Sequence, residues 1–470
     1  MYSELGKYWI FYFLFTAHIA ALSESVAQNF KNVKLLDHWT VDTLLSSQGI
    51  TFNEVWYFER NCKDYAVLGS TEGLHFFEIS ANDQLKYIDF IPGDFRSAQV
   101  HNRDFRDFGD YLYAVADQGE SSALQIVNIA HLPDSVFLEK TENTNWNRTH
   151  TICIDKKAAL LYACTFRPPL GHPEWFYRPL KVFSLADPLN PKLVFSGFNG
   201  IDEVHYAFVR GDTAFLNCGF DGLRIYDFST PSNPVLLGLL NVYNDQGYNH
   251  SGWLSDDGKT YYFTDETIGK RIKMVDVKDL ANPKIIRLIG NQNFSSTIAH
   301  HVIPVGNFIY VSHYTEGLRI FDTRAPAREI AHFDTYPLST SFPMNGAWGI
   351  MPFRGGSRIL VSDRTFGLFL FGFEPHLFSQ WQNDEPFQLF PNPLKLGAEL
   401  FIKFNDTSIS KFQVKIFDST GKEVFQAHYR NQSSAKMEFN LVQGIYQVAI
   451  TYQNYLSEEE MLFGKFLVVP

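Results

Sequence analysis

The chain has 470 residues, a formal charge of −11, and 45% hydrophobic against 19% charged residues, a balance that excludes a disordered polyelectrolyte. No basic run exceeds two or three residues, which argues against nucleic acid, because phosphate binding needs a concentrated cationic face. The 44 Phe and 23 Tyr suit pleated surfaces and point to an all-β fold. The four cysteines (Cys62, Cys153, Cys164 and Cys218) lack C-x-x-C spacing, which removes zinc-ribbon and thioredoxin-like readings and leaves no pairing preferred.

At the N-terminus, Lys7, the apolar run from Trp9 to Leu22 and the small-residue site Ser25-Val26-Ala27 predict a signal peptide over residues 1–27. The run is short and interrupted by His18, so it reads as a cleaved leader rather than a membrane anchor. No later stretch is long enough to span a bilayer, and the mature chain is expected to carry no transmembrane segment. Residues Asn32 to Leu36 then resemble two later segments, Asn190 to Val194 and Asn282 to Ile286.

Residues 28–373 read as a repeat. Gly73, Gly119, Gly171, Gly222, Gly269, Gly317 and Gly367 each precede an apolar strand and lie 46 to 52 residues apart. Around each marker a strand grammar recurs. In the fourth unit HYAFV (205–209) turns at Gly211-Asp212 into TAFLNC, a loop ends at Gly222, LRIYDF follows, and PVLLGLL closes the unit. Strands apolar on both faces suit a sheet wedged between two others, so the expected architecture is a seven-bladed β-propeller. The seventh unit lacks a fourth strand of its own, and residues 32–38 are expected to supply it.

The grammar stops after Phe373. Residues 374–389 read as a linker, and 390–470 as a separate small β-sandwich, Ig-like in class, with alternating strands and a Ser419-Thr420-Gly421-Lys422 turn. Within it, Phe390-Pro391-Asn392-Pro393, IFDSTGKEV (416–424), GIYQV (444–448) and the terminal KFLV (465–468) resemble, in order and spacing, the type A C-terminal sorting domain of type IX secretion substrates. That resemblance implies a Gram-negative host, the type IX machinery as a partner, and an extracellular or outer-membrane surface location. The stretches GDYLYAVADQGE (109–120), YNHSGWLSDDGKTYYFTDE (248–266), HHVIPVGNFIYVSHYTEGLRIFDT (300–323) and NGAWGIMPFRGGSRILVSDRTFGLFLF (345–371) resemble the choice-of-anchor B family, built from LVIVD-type repeats. That likeness implies a secreted or surface-anchored propeller and assigns no activity.

Catalytic spacings are missing: there is no G-x-S-x-G elbow, no H-E-x-x-H and no phosphate-binding glycine loop. The one constellation comes from register. Counting six residues back from Gly109, Gly211 and Gly306 gives Arg103, His205 and His300, and the same strand pattern elsewhere gives His150, His250 and Trp348. Such residues open the innermost strands and are expected to gather at one mouth of the channel as a ligand site. His205, His250 and His300 are the candidate ligands for a divalent metal. A second ring is expected at Asp117, Asp265, His313 and Asp363, with loop capping as its structural role. The blade-three insertion at 167–179 is a candidate partner surface. The function these features favour is a non-enzymatic binding or scaffold module for a protein or glycan ligand. The alternative is a metal-dependent hydrolase or lyase at the histidine mouth.

Overall fold

The computed structural model describes residues 30–470 apart from 120–121, 169–176, 199, 291–295, 325–326, 339–342, 380–386, 405–408, 410, 431, 433, 439–440 and 454–458. The signal peptide expected at 1–27, the marker Gly171 and the middle of the 167–179 insertion fall outside the described residues. The chain is all-β and divides into two compact units, one reaching to Glu374 and the other formed mainly by Pro375–Pro470.

The larger unit holds seven antiparallel sheets among the described residues. Sheets one to six open with Phe52–Arg60, Arg103–Phe108, Thr151–Asp155, Tyr206–Arg210, Asn249–Leu254 and His301–Val305, and sheet seven with Ala347–Phe353. Each opening strand neighbours the next one, and the seventh returns to the first, so the seven close a circuit. This arrangement is consistent with a propeller. Sheet seven takes its fourth strand from Val33–Trp39, which pairs antiparallel with Gly367–Phe373.

Two-residue turns join the first pair of strands where the residues tolerate positive φ. In sheet four, Gly211 (φ 58°) and Asp212 (φ 64°) connect the paired residues Arg210 and Thr213. The marker glycines have a second reason to recur. Gly222 sits at φ 75°, and a Cβ there would stand 2.4 Å from the Leu240 carbonyl oxygen of the fourth strand. At Gly367 the same clash would be with Trp39 O, so the N-terminal strand occupies the fourth-strand place in sheet seven.

Alternation along a strand sends neighbouring side chains into different cores. Leu112 packs with Phe76 and Phe105 between sheets one and two, whereas Tyr113 packs with Leu161 and Phe183 between sheets two and three. Burial on both faces ends at the rim, where Val235, Leu236 and Leu239 are exposed. The four cysteines are free, and Cys153 and Cys164 pair instead with Tyr162 and Thr151.

In the C-terminal unit a three-stranded and a five-stranded sheet share one apolar core that includes Phe387, Leu400, Val414, Val448 and Val468. Its first strand, Phe387–Phe390, pairs with Leu400–Phe404 and begins inside the segment read from sequence as linker. Among the described residues no helix is long and apolar enough to cross a membrane.

Candidate functional site

The opening strands bring five of the six register residues to one end of the circuit. Ring centroids run in sequence: His150 to His205 4.2 Å, His205 to His250 4.2 Å, His250 to His300 4.4 Å and His300 to Trp348 4.0 Å. The arc spans sheets three to seven.

The arc is held by one repeated hydrogen bond. His205 Nδ1 lies 3.2 Å from His250 O, His250 Nδ1 3.1 Å from His300 O, and His300 Nδ1 2.7 Å from Trp348 O. A carbonyl oxygen only accepts, so each Nδ1 carries the proton and donates. In a neutral imidazole that leaves Nε2 as a bare lone pair. The same carbonyls are gripped from the strands: Ser251 Oγ (2.9 Å) and Thr264 Oγ1 (2.5 Å) also donate to His300 O, and Ser312 Oγ (2.5 Å) donates to Trp348 O. Burial drives the imidazoles neutral: His250 falls to about 3, and His205 and His300 lie well below the ordinary range. The Nε2 atom of His300 is buried without a hydrogen-bond partner.

His150 breaks the pattern. Its Nδ1 turns to Asp117 Oδ2 at 2.5 Å, and Asn102 Nδ2 meets its carbonyl at 2.6 Å. Burial opposes its charge, but the Asp117 carboxylate outweighs burial and holds its pKa above the usual value.

Arg103 requires a correction. It shares the backbone register of the histidines, yet its longer side chain donates to Ser70 O (2.7 Å), Thr71 O (3.2 Å) and Phe95 O (2.5 Å). It clamps the loops at sheet one and does not join the arc.

The second ring needs a shift of one residue. Asp117 faces the mouth, but Asp265 and Asp363 turn into the sheets. Asp265 pairs with Lys273 at 2.7 Å and accepts from the Gly247 amide at 2.7 Å. Asp363 accepts from Thr335 Oγ1 (2.7 Å) and the amides of Thr365 and Phe366 (both 2.9 Å), capping the loop before the third strand. His313 is buried, and its backbone amide bonds Gly317 O. The residues that follow these three reach the mouth instead: Glu266 Oε2 lies 3.8 Å from His250 Nε2, Tyr314 donates to Glu266 Oε1, and the Arg364 guanidinium sits 4.3 Å over the Trp348 ring. Glu266, Tyr314 and Arg364 lie just past the ends of the second strands, where one step along the chain changes the role. Glu203 completes the set by accepting from Tyr248 Oη at 2.7 Å, and Tyr248 stands edge-on to His205.

Further along the opening strands charged groups gather. Arg106 donates to Asp104 (2.5 Å) and to Tyr206 Oη (3.3 Å) and covers the Trp56 ring at 4.1 Å. Glu54 Oε2 lies 3.8 Å from His301 Nδ1, and a small cavity of about 280 Å³, counting space open to solvent, adjoins them.

Among known proteins, residues 388–462 match the family model described as a secretion system C-terminal sorting domain. No curated protein matches the chain. Solved structures similar to it include the extracellular domain of a one component system from B. thetaiotaomicron, at 15% identity and TM-score 0.44, covering 90% of this chain and 57% of that one. A protein from Lactobacillus plantarum matches at 12% identity and TM-score 0.47, covering 83% and 99%. A protein from Bacteroides uniformis described as a 6-phosphogluconolactonase matches at 11% identity and TM-score 0.48, covering 78% and 95%. The chain thus spans just over half of the first of these. Its C-terminal region carries a type IX sorting domain, which points to secretion.

Proposed function

We propose that the chain is an exported propeller of seven blades that binds a polar ligand, a glycan end, at its histidine mouth, and that the C-terminal unit is a sandwich serving as the export tag. The seven sheets with their closed circuit of opening strands support the blade count. The likeness of residues 109–120, 248–266, 300–323 and 345–371 to choice-of-anchor B repeats agrees with a surface-bound or released product. The sorting-domain match supports passage through the type IX machinery.

One observation carries the binding role. Four imidazoles and Trp348 converge with Asp117, Glu203 and Glu266 at a single end of the channel. A sugar end needs an aromatic face and carboxylate acceptors close together, and a narrow mouth suits it better than a flat protein face does. The role of binding module fits these groups without a nucleophile.

The test has two arms. Removing residues 390–470 should retain the protein inside the outer membrane, and undiminished export would refute the tag. The purified full chain should melt higher with at least one member of a glycan panel, and Trp348→Ala should abolish that shift. No shift across the panel would reject the glycan reading.

A further inference from the structure

We propose that His205, His250 and Glu266 form a binding site for a divalent transition-metal ion of the zinc class. The inference rests on reading the mouth as a ligand site and names a ligand chemistry for it. One donor atom from each of the three residues lies within 4.8 Å of the others. His250 Nε2 and Glu266 Oε2 are 3.8 Å apart. Bonds of about 2.0–2.2 Å in a tetrahedron set donors roughly 3.4 Å apart, so small side-chain rotations close the site.

The surroundings are those of a prepared ligand set. A metal-binding imidazole characteristically gives its other ring N–H to a carbonyl or carboxylate, which fixes the tautomer and aims the lone pair. His205 and His250 do this through Nδ1 to His250 O and His300 O. The carboxylate is oriented in the same way, because Tyr314 holds Glu266 Oε1 and leaves Oε2 toward His250.

A second observation points to an occupant. His300 Nε2 is buried, carries a lone pair and has no hydrogen-bond partner, with its ring 4.4 Å from that of His250. Leaving such a buried acceptor unsatisfied is unfavourable. A water on the ion's open position would donate to it.

The donors also choose the ion. Two imidazoles and one carboxylate with an open fourth position suit zinc, cobalt or nickel, whereas calcium and magnesium favour oxygen cages. His250, His300 and His301 converge to the same tolerance. That set contains no carboxylate of its own to offset the ion's charge. The Glu266 set is therefore the better site.

The full chain, stripped with a chelator, should take up one zinc ion in equilibrium dialysis with elemental analysis, and cobalt should give the absorption of a low-coordinate site. Glu266→Gln keeps an oxygen for Tyr314 and should fold normally, yet weaken zinc by about tenfold or more. His250→Ala should abolish uptake. Zinc affinity weakened in Glu266→Gln, whose metal-free form melts like the parent, together with uptake lost in His250→Ala, establishes the site. No stoichiometric uptake by the parent, or equal affinity in both variants, overturns it. If zinc fails while a glycan still raises the melting temperature, the metal site alone falls; if neither acts, the mouth reading falls with it.

Discussion

Two neighbouring sets of side chains on the opening strands solve burial in opposite ways. At the mouth, burial keeps His205, His250 and His300 neutral, with Nδ1 donating to a carbonyl and Nε2 left as the lone pair. Nearby, Arg106 donates to Asp104 and Tyr206 Oη, and Glu54 Oε2 lies 3.8 Å from His301 Nδ1. A fully engaged network locks a scaffold; a half-engaged arc leaves groups for something else to use. His250 and Glu54 also answer pH in opposite directions. Burial holds His205, His250 and His300 below the 6.5 at which the unfolded chain titrates, so their contribution is complete above about 6.5 and is lost as pH falls toward about 3 for His250. Glu54 is pushed up to about 8, first by burial and then by Asp104, against 4.5 unfolded. Its contribution is complete below about 4.5 and is lost as pH rises through 8.

The sharpest break of this contrast is Arg106→Met. It strands the buried Asp104 carboxylate, which also accepts the Ile152 amide at 2.7 Å, and should cost about 3–5 kcal/mol in urea denaturation. Next comes the alkaline limb. Between pH 6.5 and 8 the parent should lose on the order of 2 kcal/mol, and Glu54→Gln should flatten that slope; an unchanged slope would place the proton elsewhere. Gly349→Ala would set a Cβ 2.3 Å from Glu54 Oε1 and 2.8 Å from the Val55 amide nitrogen, with an expected cost of about 1–3 kcal/mol by the same measurement. The mouth should be the most forgiving. His250→Gln gives up one neutral hydrogen bond to His300 O and should cost only about 0.5–1.5 kcal/mol. A larger loss there than for Arg106→Met would reverse the assignment of scaffold and site.

The architecture was legible because its signals are steric. A Cβ at Gly73, Gly222, Gly317 or Gly367 would meet a fourth-strand carbonyl, so glycine recurs in these units and can be counted. The first ring was legible for the same reason, since two-residue turns anchor the count back to His205 and His300. Arg103 escaped because backbone register does not say where a long side chain ends; its guanidinium reaches Phe95 O. The second ring slipped by one because strands buried on both faces lack the polar alternation that sets phase. Asp265 and Glu266 are adjacent acids with opposite surroundings, a Lys273 partner for one and the mouth for the other. Glu203 lies outside any strand and carried no periodic signal at all.

The central claim concerns three protons. Long-range proton–nitrogen correlation spectra of histidine-labelled protein near neutral pH report which ring nitrogen carries the hydrogen. We expect His205, His250 and His300 to be neutral with the hydrogen on Nδ1 and Nε2 unprotonated, and the Nε2 signals of His205 and His250 to move when zinc is added. Hydrogen on Nε2 in these residues, or doubly protonated rings, would contradict it.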